Sequence, residues 1–398
     1  MDKQYFVKTK ERIDSILMND FMSFWEDVHV DKEYGGYLCG FDREGKLFFE
    51  DKSVWQQGRS VWMFSKLYNE FGGKKEWLEM AKSGYDFMNK YCFNPETGHM
   101  YFRVTRDGKP LQERRYYFSE HFAIMGYCEY YKATKDPEVK ERAIKLYDKI
   151  EGYFTTPGSF PAKINPESRR YKGHSIYMIF INVCQHMRDI DDNPKYDEMI
   201  TKCLNEITTN FIKEDKKALL ETVNYDGSFV DTPDGRFINP GHAMETSWFI
   251  MQEAIHRGDR ELFEKMIKVT EWSLERGWDK EMEGIFYFID LENKPVRSNE
   301  WDMKLFWVHC EAMIALTYAY WHTKNEEYLK GFDKIFDYCQ KHYADPGYPE
   351  WWGHLHRDGT PIAMIKGSDW KGPYHNVRAF MILSQLFGSL VNGEELGL

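Results

Sequence analysis

No stretch of this chain is basic. Its 53 lysines and arginines are outnumbered by 64 aspartates and glutamates, a formal net charge of -11, and no cationic block stands out. A ligand held through a phosphate backbone is therefore disfavoured, and nucleic acid is not an expected partner. Cysteine is sparse, with 7 residues in 398, an odd count without any C-x-x-C pair. That excludes a disulfide scaffold and predicts reduced, buried thiols in a cytoplasmic protein. Long apolar runs are missing as well. The most apolar late stretch, Phe306 to Trp321, includes His309 and Glu311, so it is too short and too polar to cross a bilayer. Met1-Asp2-Lys3-Gln4-Tyr5 places charges where a leader would be apolar, and no signal peptide is expected. Neither G-x-x-x-x-G-K-[S/T], G-x-S-x-G nor H-E-x-x-H occurs, which disfavours a P-loop, a nucleophile elbow and a zincin helix.

Aromatic residues, by contrast, are abundant: 13 Trp, 26 Tyr and 28 Phe. Rings in that number serve a thick core or a site that stacks flat apolar faces, as sugar sites do. Short aromatic segments closed by a polar-Gly turn recur along the chain. Gly35-Gly36-Tyr37 precedes Arg43-Glu44-Gly45, and Gly98-His99-Met100 precedes Arg106-Asp107-Gly108. Gly284-Ile285-Phe286 precedes Leu291-Glu292-Asn293, and Trp351-Trp352-Gly353 precedes Arg357-Asp358-Gly359. Each reads as a β-hairpin. Gly45 and Gly108 lie 63 residues apart, and Asn293 and Gly359 lie 66 apart, so a period near 65 divides 398 residues into about six units.

Between hairpins the spacing turns helical. Val61, Phe64, Ser65 and Tyr68, and Ala312, Ala315, Leu316 and Ala319, recur at i, i+3, i+4, i+7. Each gap holds two such stretches, with breaks at Asp136-Pro137, Asp192-Asn193-Pro194 and Asn325-Glu326. Six helix pairs predict an all-α fold, an (α/α)6 barrel of twelve helices with short hairpins on one face, built as one domain over 1–398. Chemistry is expected at the mouth that the hairpins surround.

Four segments open presumed inner helices with polar residues. Val54 to Trp62 sets Arg59 among tryptophans. Asn239-Pro240-Gly241-His242-Ala243-Met244-Glu245 places His242 and Glu245 on one helical face, where the carboxylate can hold the imidazole. Lys304 to Ala312 contains Trp307, His309 and Glu311, and Ser368 to Arg378 contains Trp370, His375 and Arg378. The His354-x-His356 pair has no third ligand at metal spacing, so no metal is expected. Two imidazoles and an arginine suit removal of the proton alpha to a sugar carbonyl: a base of near-neutral pKa, and a donor for the enediolate oxygen. A second imidazole on the opposite face can return the proton with inversion. That route requires neither metal nor hydride carrier.

On these residues the chain resembles the N-acylglucosamine 2-epimerase family, with its cellobiose 2-epimerase and aldose-ketose isomerase relatives. The matching pieces are Lys52 to Trp62, Asn239 to Glu245, Phe306 to Ala312, and Lys366 to Arg378, in order along nearly the whole chain. The resemblance implies His242 and His375 as the C2 proton-exchange pair, Arg59 as the essential arginine and Glu245 as a supporting carboxylate. It implies that Trp307, His309, Glu311, Trp370 and Arg378 line the sugar cavity, and sets Tyr177 where disaccharide enzymes have a further histidine, close to His174. It also implies a homodimer, and activation by ATP in some members, for which no local motif is present. The favoured substrate is N-acetylglucosamine, exchanged with N-acetylmannosamine. An unacetylated sugar such as mannose or a β-1,4-disaccharide is the alternative. An inverting glycoside hydrolase using Glu245, Glu311 and Asp369, with carboxyls about 6.5–9.5 Å apart, and a non-catalytic binding module stay open behind it.

Overall fold

The computed structural model describes residues 2–113, 116–162 and 164–398. Its longer helices fall into two kinds by what they bury. Helix Phe306–Thr323 is buried from Val308 through Tyr320 without interruption, as a helix enclosed on all sides must be. Its successor Glu326–His342 buries only a stripe: Leu329, Phe332, Ile335, Phe336, Tyr338 and Cys339. The two kinds alternate along the chain.

Counting Lys3–Ile16 and its continuation through a π turn to Val28 as α1, the others are α2 (Val54–Glu70), α3 (Lys75–Tyr91), α4 (Phe118–Thr134), α5 (Pro137–Thr155) and α6 (Ser175–Arg188). Then come α7 (Lys195–Glu206), α8 (Pro240–Arg257), α9 (Arg260–Gly277), α10 (Phe306–Thr323), α11 (Glu326–His342) and α12 (Tyr374–Asn392). The even-numbered helices touch in sequence, α2 to α4 and onward to α12, and α12 returns to α2. They form a closed inner ring, and the odd-numbered helices pack outside it. This is the expected (α/α)6 barrel. The breaks also fall where expected. Asp136 accepts from the Glu138 N–H at the start of α5, Asn325 from Glu327 at α11, and Asn193 from Lys195 at α7. At one point the inner wall is so tight that backbone meets backbone: a Cβ on Gly58 of α2 would lie 2.6 Å from the Phe122 carbonyl carbon of α4.

The expected polar-Gly turns form, with Gly45, Gly108 and Gly359 at φ +80°, +92° and +85° and Asn293 at +57° in the same role. Much of the pairing, however, runs between units rather than within them. Lys52–Ser53 pairs with Arg103–Val104, Phe237–Ile238 with Ile289–Asp290, and Lys304–Leu305 with His354–Leu355. Each of these two-residue strands leads toward an inner helix and takes its partner from the next unit.

A repeated buried ion cluster reinforces three of these junctions. Lys52, Lys304 and Lys366 are fully enclosed and hold Asp31 (2.8 Å), Asp279 (3.1 Å) and Asp345 (3.0 Å). The arginine of a neighbouring unit's polar-Gly turn completes each one: Arg106 on Asp31 (3.0 Å), Arg357 on Asp279 (2.7 Å) and Arg43 on Asp345 (2.9 Å). A buried lysine is tolerated only when so paired. All seven cysteines are unpaired and buried. Among the described residues no helix is long and apolar enough to cross a membrane.

Candidate active site

Every inner helix starts at the hairpin face, so six first turns converge on one mouth. Their helix dipoles give that mouth a positive potential, about half a unit charge per helix end, suited to a developing anion.

On α8, Asn239 caps the helix by accepting from the His242 N–H (3.2 Å), which fixes the histidine in the first turn. The His242 Nδ1 lies 3.1 Å from each carboxylate oxygen of Glu221, a residue of the loop before the strand Thr222–Asn224. The same carboxylate stands 3.7 Å from the ring of His174, whose Nε2 pairs with Thr246 Oγ1 at 2.9 Å. Burial alone would raise the Glu221 carboxyl, but the His242 and His174 rings outweigh it and hold the group well below the usual carboxylate range.

Across the mouth, His375 opens α12, and its Nδ1 lies 2.8 Å from Glu311 Oε1. Glu311 also accepts from Trp248 Nε1 (2.8 Å) and from Arg378 Nη2 (2.7 Å), and Arg378 reaches Glu245 at 2.5 Å with the same nitrogen. Burial, reinforced by Arg378 and Arg59, lowers the His375 imidazole well below its ordinary value, leaving it neutral at physiological pH. The two rings meet over one indole: Trp307 lies 5.4 Å from the ring of His242 and 5.3 Å from that of His375.

Arg59 points among aromatic faces, 4.0 Å over Phe122 and 4.9 Å over Tyr374. Among the described residues it makes no ion pair, and its Nε has no hydrogen-bond partner. Burial pushes its guanidinium down to about 10, so it stays charged, and an anion arriving beside it would meet a donor already desolvated. At the rim Trp370 is 47% exposed and leans on Phe102 (5.7 Å) and Trp55 (6.0 Å), a stacking surface.

A family model described as N-acylglucosamine 2-epimerase (GlcNAc 2-epimerase) matches residues 35–379. The chain belongs to this family. The Homo sapiens N-acylglucosamine 2-epimerase is 32% identical over 390 residues, 96% of this chain and 91% of that protein. A cellobiose 2-epimerase of Dictyoglomus turgidum is 28% identical over 388 residues, covering 93% and 96%. The solved cellobiose 2-epimerase of Bacillus thermoamylovorans superposes with a TM-score of 0.84 at 21% identity, covering 95% and 99%, a likeness of fold.

Within this epimerase-family barrel, His242, His375, Trp307 and Arg59 gather as the sequence implies, and four other expectations need correction. His309 does not line the cavity. It is fully buried, its Nδ1 donates to the Leu305 carbonyl (2.9 Å), and its Nε2 accepts the Ile285 N–H (2.9 Å). Gln57 accepts the Tyr37 N–H (2.8 Å) and Glu120 the Met100 N–H (2.9 Å) at matching points of other units, so this is a framework job. Glu245 serves Arg378 rather than His242. Arg378 and Glu311 lie beneath the site, buried behind His375, instead of facing its opening. Tyr177 packs on Phe154 and Phe211, both 5.5 Å away, and the histidine near the pair is His174.

Glu221 was not singled out from the sequence. It sits 21 residues before His242 in the least regular unit, and no periodicity marks it. Glu245, Glu311 and His375 form a set whose ligand atoms lie within 4.8 Å of one another, and the Arg378 guanidinium supplies the positive charge there.

Proposed function

We propose that this chain interconverts N-acetylglucosamine and N-acetylmannosamine by moving the C2 proton of the open-chain sugar between His242 and His375. One observation carries the reading: two imidazoles converge on Trp307, each with a carboxylate on Nδ1, which leaves Nε2 of each as the atom for proton exchange. One ring removes the proton as general base. The enediolate oxygen takes its hydrogen bonds from Arg59, and the other ring returns a proton to the opposite face. Only a proton changes place, so the chemistry calls for no hydride carrier or metal. The sequence identity to N-acylglucosamine 2-epimerases supports the acetylated substrate. His174 is fully enclosed and cannot touch a second sugar ring, which weakens the disaccharide alternative.

The Glu245–Glu311 pair does not suit an inverting hydrolase, and Asp369, the third carboxylate of that reading, is paired with Arg103 (2.9 Å). Glu245 and Glu311 come within 4.8 Å of each other and share one arginine, whereas a water-activating pair stands about 6.5–9.5 Å apart. Seven buried free thiols support a reducing, cytoplasmic setting. The homodimer that the resemblance implies is checked by sedimentation. The deciding experiment is incubation in deuterium oxide with N-acetylglucosamine, mannose and cellobiose in separate reactions. N-acetylmannosamine carrying deuterium at C2 is expected. Unlabelled product, or turnover of cellobiose or mannose alone, rejects the proposal.

A further inference from the structure

The inner helices run parallel, so their last turns meet at the mouth opposite the hairpins. A second cavity there measures ≈ 420 Å³, within the range of small-molecule sites, and all six inner helices contribute to its wall. Residues from the middle or end of helices line it, including Trp62 and Lys66 of α2, Lys132 of α4, Gln185 of α6, Gln252 of α8 and Trp321 of α10. Tyr374 and Arg378 belong to its wall, and neither His242 nor His375 does.

The wall has no charge to spare. Lys66 is held by Glu70 (2.5 Å), Lys132 by Asp189 (2.6 Å), Arg188 by Glu253 (2.9 Å) and Arg378 by Glu311 (2.7 Å). His186, also in the wall, is lowered by burial to about 3 and stays neutral. What the wall does have is polar groups without partners. Among the described residues Asn182 Oδ1 and Gln185 Oε1 accept no hydrogen bond, and Trp62 Nε1 and Arg378 Nε donate none. Buried groups left this way each cost free energy, and a ligand that satisfies them recovers it. Two acceptors and two donors beside the half-buried indole of Trp321 match a molecule whose hydroxyls both donate and accept and whose ring has an apolar face.

We propose that this second cavity binds an uncharged polyhydroxylated ring, a monosaccharide or its glycoside, at a site separate from the catalytic mouth. The proposal stands on binding and holds whether or not the reaction assigned above is right.

Titration calorimetry with methyl β-D-glucopyranoside, whose locked ring cannot open, tests it. In the wild-type protein a binding event is expected that Asn182→Leu and Trp321→Ala each weaken roughly tenfold, the scale of one lost hydrogen bond with its stacking face. Trp307→Ala, at the catalytic mouth, should leave that event in place. Asn182→Leu removes an unsatisfied polar group, so its melting temperature should equal or exceed the wild-type value, which separates lost binding from lost folding. No binding at all, a single event abolished by Trp307→Ala, or an event indifferent to Asn182→Leu and Trp321→Ala overturns the proposal. So does a site that takes sodium tripolyphosphate in preference to the glycoside.

Discussion

The two histidine–carboxylate pairs look alike and are electrically opposite. His242 leans on Glu221, which comes from a loop, is shared with a second imidazole, and touches no lysine or arginine among the described residues. His375 leans on Glu311, which comes from the neighbouring inner helix and is already answered by Arg378 and the Trp248 indole. An unneutralised carboxylate is free to stabilise an imidazolium, as in a hydrolase triad. A neutralised one orients its ring without that gain. The pair therefore teaches that one site can obtain two different imidazoles from one local motif by changing what stands behind the carboxylate.

The sharpest way to break the comparison is to remove the rings. His242→Ala or His375→Ala should each lower deuterium exchange at C2 by about 10³-fold with unchanged helical circular dichroism. Full exchange in either variant removes that residue from the mechanism. Next come the carboxylates' partners. Arg378→Met leaves Glu245 and Glu311 facing each other in the core, and should cost about 3–5 kcal/mol of stability in denaturant titration as well as activity. Glu221→Gln should cost about 10²-fold in kcat while the denaturation midpoint hardly moves. Equal destabilisation by both variants would erase the contrast.

The buried neutral imidazoles give a pH dependence. His29 and His309 are lowered by burial to about 3 and His121 to about 4, and His375 moves the same way. The unfolded chain takes up these protons near pH 6.5 while the folded chain does not, so the unfolded state binds more protons below that pH. Stability is thus fully present above about pH 6.5 and is lost as pH falls toward 4. Thermal melts should hold level from pH 8 to about pH 6.5 and fall from there to pH 5, and a profile that stays flat down to pH 5 contradicts the assignment. The smallest effect separates framework from chemistry. His309→Gln copies the solution Gln57 uses in the first unit, so kcat/KM should stay within about twofold and the acid slope should shrink by one proton. A large rise in KM would return His309 to the sugar cavity.

Much of the frame was legible because periodic turns and helical spacing are local signals. Asn293 could be read as a turn residue of the repeat since asparagine tolerates the left-handed conformation that glycine supplies elsewhere. The histidine pair and Arg59 were legible from motif resemblance. What was hidden is what side chains do across the chain. Glu245 stands one turn from His242, yet Arg378, 133 residues away, claims it. His309 has the same chemical identity as the working histidines, and only its two backbone hydrogen bonds distinguish it. The arginines of the polar-Gly turns read as hairpin punctuation and turned out to hold neighbouring units together.

The ring is closed by α12 meeting α2, with α1 packed outside the joint. The outer helix against α12 is α1: Tyr5 donates to Asp333 (2.7 Å), and Ser384 of α12 donates to Asp14 (2.5 Å). During synthesis on the ribosome α1, made before α12, must therefore wait, its apolar stripe uncovered, until α12 emerges. No prefix of the chain can complete the enclosure, and the helix that delivers His375 is also the keystone. A truncated or stalled product should consequently be both inert and adhesive, a burden for chaperones rather than a partial enzyme.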